Sequence, residues 1–165
     1  MIARPAGGAL DDVRAGAKAV EERVVAYRRD FHAHAESGWT EFRTASLVAR
    51  RLEELGWEVC AGAEVVDADA RLGVPPAAEL EAHMERARAQ GGDARYLEAL
   101  RGGLTGVVGV QRAGEGPVVG LRFDMDAIDL VESASETHRP AREGFVSVNE
   151  GACHACGHDG HTAIG

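Results

Sequence analysis

Residues 105–130, TGVVGVQRAGEGPVVGLRFDMDAIDL, decide the fold that the sequence predicts. Two valine-rich runs, TGVVGVQR and PVVGLRF, are joined by AGEGP, a turn sequence with glycine and proline that is typical of a β-hairpin. The second run is apolar nearly throughout, which predicts a strand buried on both faces. It ends directly in DMDAIDL, so the carboxylates of Asp124, Asp126 and Asp129 are expected at the end of a strand.

Amphipathic helices precede these strands. Apolar residues recur at three- and four-residue steps from Leu10 to Phe31, which predicts a first helix. The same spacing predicts a second helix from about Thr40 to Leu55, with Gly56 as the residue that ends it. WEVC at 57–60 follows as a short strand. Helices that alternate with strands in this way predict an α/β fold.

The middle of the chain, at about residues 61–104, is interpreted as an insertion. Glycines and prolines break the chain there, and residues 77–90 then predict a polar helix. A second, short helix is expected at about 96–100. No cluster of catalytic side-chain types lies in this segment, so we expect it to act as a lid or as a contact for a partner.

Composition and charge exclude several classes of protein. The chain has 165 residues and 45% apolar residues, which suits one domain, or a piece of a larger one, with a real core. A formal net charge of -9 repels phosphate backbones, which argues against a nucleic-acid partner. No run approaches the roughly 20 apolar residues that span a bilayer, and the acidic N-terminus does not resemble a signal peptide. We therefore expect no membrane partner and a cytoplasmic protein, and the odd number of cysteines argues against a disulfide framework.

The segment CHACGHDGH, residues 153–161, places two cysteines, three histidines and an aspartate in nine positions. Thiolate and imidazole are the ligands that zinc and related metals prefer, and Asp159 has the chemistry to orient a ligating imidazole. A structural zinc site would need a second ligand pair, and a c-type haem would need histidine where Gly157 stands. A thioredoxin-like redox pair would need a βαβ context. A catalytic metal is therefore favoured, with a structural metal left open.

The aspartates at 124 and 126 are ambiguous by themselves. Aspartates that follow a strand are common turn formers, and this interpretation needs no ligand. Beside a metal cluster, however, carboxylates ligate an ion, orient a ligand or bridge two ions. The pairing of DMDAIDL with the histidine- and cysteine-rich segment therefore favours a role in the same site.

Together, these segments resemble a known family. LRFDMDAIDL followed by HACGHDGHTA is similar to the dimetal aminoacylase and carboxypeptidase group, metallopeptidase family 20, in its amidohydrolase branch. The run FHAHAESGWTEFRTA and the middle segment resemble the aminobenzoyl-glutamate utilisation A subunits within that branch. The resemblance spans most of the chain. It implies the N-terminal part of an aminopeptidase-like catalytic domain, with helices packed on a mixed sheet that continues beyond these residues.

The resemblance also implies roles for individual residues. Cys156 and His158 would be metal ligands, and Asp124 would be the catalytic acid behind the metal site. The implied cofactor is Mn²⁺ or Zn²⁺, with two ions in the complete enzyme, and the sulfur ligand favours zinc. His32 and His34 are interpreted as structural. No firm role is carried over to the remaining motif residues, which are Asp126, His154, Asp159 and His161.

The implied activity is hydrolysis of an N-acyl amino acid, with p-aminobenzoyl-glutamate as the leading small-molecule substrate. In the family, the general base and further ligands lie downstream of such a stretch, so we expect this chain to be an incomplete part of the enzyme, inactive by itself. A homo-oligomer or a paired B subunit is the expected partner. Two other hypotheses are a metal-binding remnant without catalysis and a purely structural subunit.

Overall fold

The computed structural model describes residues 7–165. Within this range the helices are α1 (Gly7–Ala33), α2 (Phe42–Glu54), α3 (Ala77–Ala89), α4 (Ala94–Leu97), α5 (Arg139–Glu143) and α6 (His158–Ile164). The strands are β1 (Glu58–Ala61), β2 (Val107–Val110), β3 (Ile128–Asp129) and β4 (Ala152–Cys153). β1 pairs antiparallel with β2, and β3 pairs antiparallel with β4. The predicted combination of helices with strands is confirmed.

Helix α2 ends where the sequence predicts. Gly56 follows its last turn with φ of +82°, a left-handed conformation that glycine adopts without steric cost. The amide of Gly56 donates to the carbonyl of Glu53 at 2.8 Å, and the amide of Trp57 donates to the carbonyl of Leu52 at 3.0 Å. These bonds satisfy carbonyl groups at the end of the helix and turn the chain directly into β1.

The middle segment contributes most of the largest fully buried apolar side chains. Leu80 and Met84, one turn apart on α3, are 5% and 0% exposed. Leu97 and Leu100 are 1% and 0% exposed. These residues pack in one cluster with Phe42 of α2. The helix predicted as polar therefore has an apolar stripe that faces the core. The boundaries of an insertion at about 61–104 stay a prediction.

The predicted hairpin between residues 105–112 and 117–123 is wrong. β2 pairs with β1, in the register Glu58 to Val110 and Ala61 to Val107. Residues 117–123 form no strand, and Val118 and Val119 are 97% and 78% exposed. A strand with two apolar faces is buried only when it has neighbouring strands and when both its faces are covered. No other described segment of the chain supplies such neighbours or such cover.

Helix α1 confirms the first predicted helix but buries little of its apolar stripe. Leu10 and Val13 are exposed, whereas Phe31 in the last turn is only 7% exposed. The helix packs along α6, close to the C-terminal end of the described chain. Among residues 7–165, no helix combines the length and the apolar character needed to cross a membrane.

Candidate metal centre

Of the three predicted carboxylates, Asp124 and Asp126 lie just before β3 and Asp129 lies in it, rather than at the end of a long strand. The amide of Ala127 donates to the carbonyl of Glu36 at 2.7 Å, and this bond holds the segment against the loop that follows α1. The hydroxyl of Thr162 in α6 donates to the carbonyl of Asp124 at 3.2 Å. Residues 124–127 are therefore fixed between two parts of the chain that are distant in sequence.

Two histidines of α6 face the carboxylate of Asp124. Gly157, with φ of +86°, turns the chain sharply into the helix, and the spacing of three residues puts His158 and His161 on one face. Their rings stack with centroids 5.1 Å apart. Asp124 Oδ2 lies 4.0 Å from His158 Nε2 and 3.8 Å from His161 Nδ1. One ligand atom from each of these three residues lies within 4.8 Å of the other two, which is a geometry that a metal ion fits.

Asp126 fixes the orientation of His158. The ring nitrogen Nδ1 of His158 lies 2.9 Å from the carbonyl oxygen of Asp126 and 3.0 Å from its Oδ1. A proton on Nδ1 is donated to these acceptors, which leaves Nε2 with a free lone pair on the side of Asp124. The sequence assigned no role to Asp126 or His161. The three-residue spacing of histidines on a helix is the signal that would have indicated His161.

Cys156, the other predicted ligand, lies in the turn before α6 and is exposed. Neither group of converging ligand atoms among residues 7–165 includes its sulfur, so its ligand role stays a prediction. The neighbouring Cys153 is buried, and desolvation raises the pKa of its thiol. A neutral buried thiol is a poor metal ligand, so the chemistry of the two cysteines favours Cys156 over Cys153.

A second cluster lies beside the first and includes His32. His32 Nδ1 is 2.9 Å from Asp159 Oδ2, and His32 Nε2 is 2.8 Å from Glu132 Oε1. His138 Nε2 lies 2.7 Å from the same oxygen of Glu132. The hydrogen bond to Asp159 is the main cause that raises the pKa of His32. His34 follows the last residue of α1, and its Nδ1 lies 2.8 Å from the carbonyl oxygen of Asp30, while its structural interpretation stays a prediction.

His154 lies near the second cluster and is only 4% exposed. Neither of its ring nitrogens has a hydrogen-bond partner among the described residues. Desolvation lowers its pKa to about 4, so the ring is neutral near pH 7. Its ring centroid is 6.3 Å from that of His32.

Two buried glutamates near α2 were not predicted as special by the sequence. Glu36 accepts the backbone amides of Arg43 and Thr44 at 3.1 and 2.8 Å, so it satisfies free donors at the start of α2. Glu41 accepts a hydrogen bond from the hydroxyl of Thr105 at 2.7 Å. Burial raises the pKa of Glu41 to about 7, and it also raises the pKa of Glu36.

Comparison with known proteins identifies relatives of this chain. No family model matches the chain. It is 54% identical over 140 residues to the A subunit of p-aminobenzoyl-glutamate hydrolase of Escherichia coli, a match that covers 84% of this chain and 32% of that protein. It is 52% identical to indole-3-acetyl-aspartic acid hydrolase of Enterobacter agglomerans, with the same coverage of 84% and 32%. The crystal structure of aminobenzoyl-glutamate utilization protein from Klebsiella pneumoniae matches with a TM-score of 0.68 and 45% identity, over 70% of this chain and 30% of that one.

These similarities confirm the family that the two motifs predicted, and the structural match confirms the fold class. Both curated relatives are named as hydrolases, and this chain spans about a third of their length. The chain therefore belongs to the amidohydrolase branch of metallopeptidase family 20, together with the p-aminobenzoyl-glutamate hydrolase of E. coli.

Proposed function

We propose that this chain carries part of the metal centre of an amidohydrolase that cleaves an N-acyl amino acid, with p-aminobenzoyl-glutamate as the leading substrate. The convergence of Asp124, His158 and His161 is the observation that carries the proposal. The names of the E. coli and Enterobacter agglomerans relatives support the substrate class, since both describe hydrolases of an acyl group joined to an acidic amino acid.

The donor set fits a divalent transition metal. Asp124 offers a carboxylate oxygen, while His158 and His161 offer imidazole nitrogens, and this mixture suits Mn²⁺ or Zn²⁺. If Cys156 completes the set, its thiolate favours zinc. A divalent cation held there would act as a Lewis acid that polarises the amide carbonyl and stabilises the developing negative charge.

The chain's own residues prepare the site. Asp126 holds His158 in one orientation, and the carboxylate of Asp124 faces both imidazole rings. We propose Asp124 as a metal ligand or as a group that orients one, and this refines the catalytic role predicted for it. The side chain of His161 is 55% exposed, so this face of the site is open to a small-molecule substrate.

The rest of the activity is proposed to involve residues outside this chain. A complete enzyme would supply the general base, the remaining ligands and a second ion. A paired B subunit is supported by the name of the E. coli relative, which describes one of several subunits, and a homo-oligomer is the other candidate. The cytoplasmic location is supported by three free cysteines, which suit a reducing compartment.

Metal binding by the purified protein tests the proposal. After removal of metal with a chelator, titration with Zn²⁺ and Mn²⁺ is followed by calorimetry for the wild type, His158→Ala and the matched control His34→Ala. We expect the wild type and His34→Ala to bind equally, and His158→Ala to lose most of the affinity. Equal binding by His158→Ala, or no binding by the wild type, would overturn the proposal.

Activity separates the hydrolase from a metal-binding remnant. The complete enzyme, with any partner subunit present, is expected to release p-aminobenzoate from p-aminobenzoyl-glutamate only when a divalent metal is added. The His158→Ala variant of that enzyme should lose this activity. Metal uptake without any turnover would support the non-catalytic alternative instead.

A further inference from the structure

We propose that His32 is a positioning residue for the candidate metal centre. Through buried hydrogen bonds to Asp159 and Glu132, it fixes the beginning of α6, the helix that presents His158 and His161. This inference rests on the proposed function, because it assigns His32 a role in supporting the same site.

Helix α6 needs support from the rest of the chain. It has only seven residues, and its N-cap residue, Gly157, has no side chain that could cap the first turn. A helix of this length is not stable by itself in water, and Gly160 in its interior weakens it further. The place and direction of its histidines must therefore come from tertiary contacts.

Asp159 supplies buried contacts of this kind. Its side chain is fully buried, and its Oδ2 lies 2.9 Å from His32 Nδ1 and 3.1 Å from Arg28 Nε, both on α1. The preceding residue, His158, is bonded on its other side to Asp126. Two consecutive residues of α6 are thus tied to two different parts of the chain, and both the position and the rotation of the helix are defined.

The opposite nitrogen of His32 anchors the ring itself. Glu132 Oε1 lies 2.8 Å from His32 Nε2, and Glu132 Oε2 accepts the backbone amide of Ser147 at 2.7 Å. The contacts of His138 and His32 with the same oxygen are at ordinary hydrogen-bond distances. They account for this cluster without an ion, so His32 is assigned a positioning role rather than a ligand role.

The two hydrogen bonds of the His32 ring, to Asp159 and to Glu132, can be tested separately. Asparagine places its amide nitrogen near the position of Nδ1, and glutamine places its amide nitrogen near the position of Nε2. His32→Asn therefore keeps a donor for Asp159, while His32→Gln keeps one for Glu132. If His32 acts through Asp159 and α6, we expect His32→Gln to weaken Zn²⁺ binding by about 10- to 100-fold, the usual cost of losing a residue that holds a metal ligand in place. His32→Asn should lose clearly less.

The measurement is a Zn²⁺ titration of the purified protein, with folding of each variant checked by circular dichroism. Asp159→Ala, which removes the acceptor of His32 together with the ion pair to Arg28, is expected to weaken binding at least as much as His32→Gln, and His34→Asn should bind as the wild type does. If both substitutions only lowered the stability of the protein, His32→Asn and His32→Gln would weaken Zn²⁺ binding to the same extent. The inference is overturned if His32→Gln binds Zn²⁺ like the wild type, or if His32→Asn binds it more weakly than His32→Gln. Failure of the wild type to bind Zn²⁺ would instead overturn the proposed function.

Discussion

His158 Nδ1 and Asp126 are joined twice, because the ring nitrogen lies 2.9 Å from the carbonyl oxygen of Asp126 and 3.0 Å from its carboxylate. Such a pair of acceptors on one residue restricts both the position and the tautomer of the imidazole. Nε2 is then available on the side of Asp124, 4.0 Å away. The orientation of His158 in the candidate metal centre thus depends on a residue outside the group of converging ligand atoms.

The first prediction concerns this supporting carboxylate. Asp126→Ala is expected to weaken Zn²⁺ binding by about 10- to 100-fold without abolishing it, since the backbone carbonyl remains as an acceptor for His158. Calorimetric titration measures the change. Asp129→Ala is the matched control, because this exposed aspartate lies in the same segment and bonds Ser37 instead. Identical affinities for the two variants would contradict the orienting role.

The second prediction concerns Cys156, the ligand proposed from the sequence. Its thiol is exposed, so in the metal-free protein it should react readily with a thiol reagent such as dithionitrobenzoate. If the sulfur binds Zn²⁺, saturating metal should protect it from reaction, and Cys156→Ser should lower Zn²⁺ affinity by at least tenfold. Cys60→Ser serves as the control. A thiol that reacts equally fast with and without Zn²⁺ would exclude Cys156 as a ligand.

Local patterns in the sequence predicted the fold well wherever the structure of a segment depends on its own residues. The repeat of apolar residues predicted α1 and α2, and Gly56 marked the end of α2 because its left-handed conformation is a local property. The pairing of strands is not local. β2 pairs with a strand more than forty residues earlier rather than with the adjacent valine-rich run. A turn sequence does not indicate which of the two strands β2 pairs with.

The candidate site shows the same division. The sequence selected the segment 153–161 because its side-chain chemistry is specific, and the family resemblance selected Asp124. The structure brings Asp124 together with His158. It did not select Glu132, which is a single acidic residue in a polar stretch. The partnership of Glu132 with His32 joins residues 100 positions apart, and only the folded chain brings them into contact.

The third prediction tests whether the middle segment belongs to the core. Met84 is fully buried in the cluster that also contains Phe42. Met84→Ala should lower the free energy of unfolding by about 2–5 kcal/mol, because it removes buried apolar surface and leaves a cavity. Leu72→Ala, at a site that is 87% exposed, should change it by less than about 0.5 kcal/mol. Urea denaturation gives both values, and equal stabilities would mean that α3 can detach without loss of the fold.

The fourth prediction uses the buried carboxyl of Glu41. Burial raises its pKa from 4.5 to about 7, so between these values the folded protein binds more protons at this site than the unfolded chain does. The contribution of Glu41 to stability is therefore fully present below pH 4.5, and it is lost as the pH rises toward and through 7. Glutamine is uncharged, and its amide oxygen can still accept the bond from Thr105.

Glu41→Gln should therefore have little effect on stability near pH 4.5 and should stabilise the protein progressively at higher pH, by about 3 kcal/mol at pH 8. Urea unfolding of the metal-free protein across this range measures the difference. Glu54→Gln, at an exposed position of α2, should show no such dependence. A difference between wild type and Glu41→Gln that does not change with pH would show that this carboxyl ionises in the folded protein as freely as in the unfolded chain.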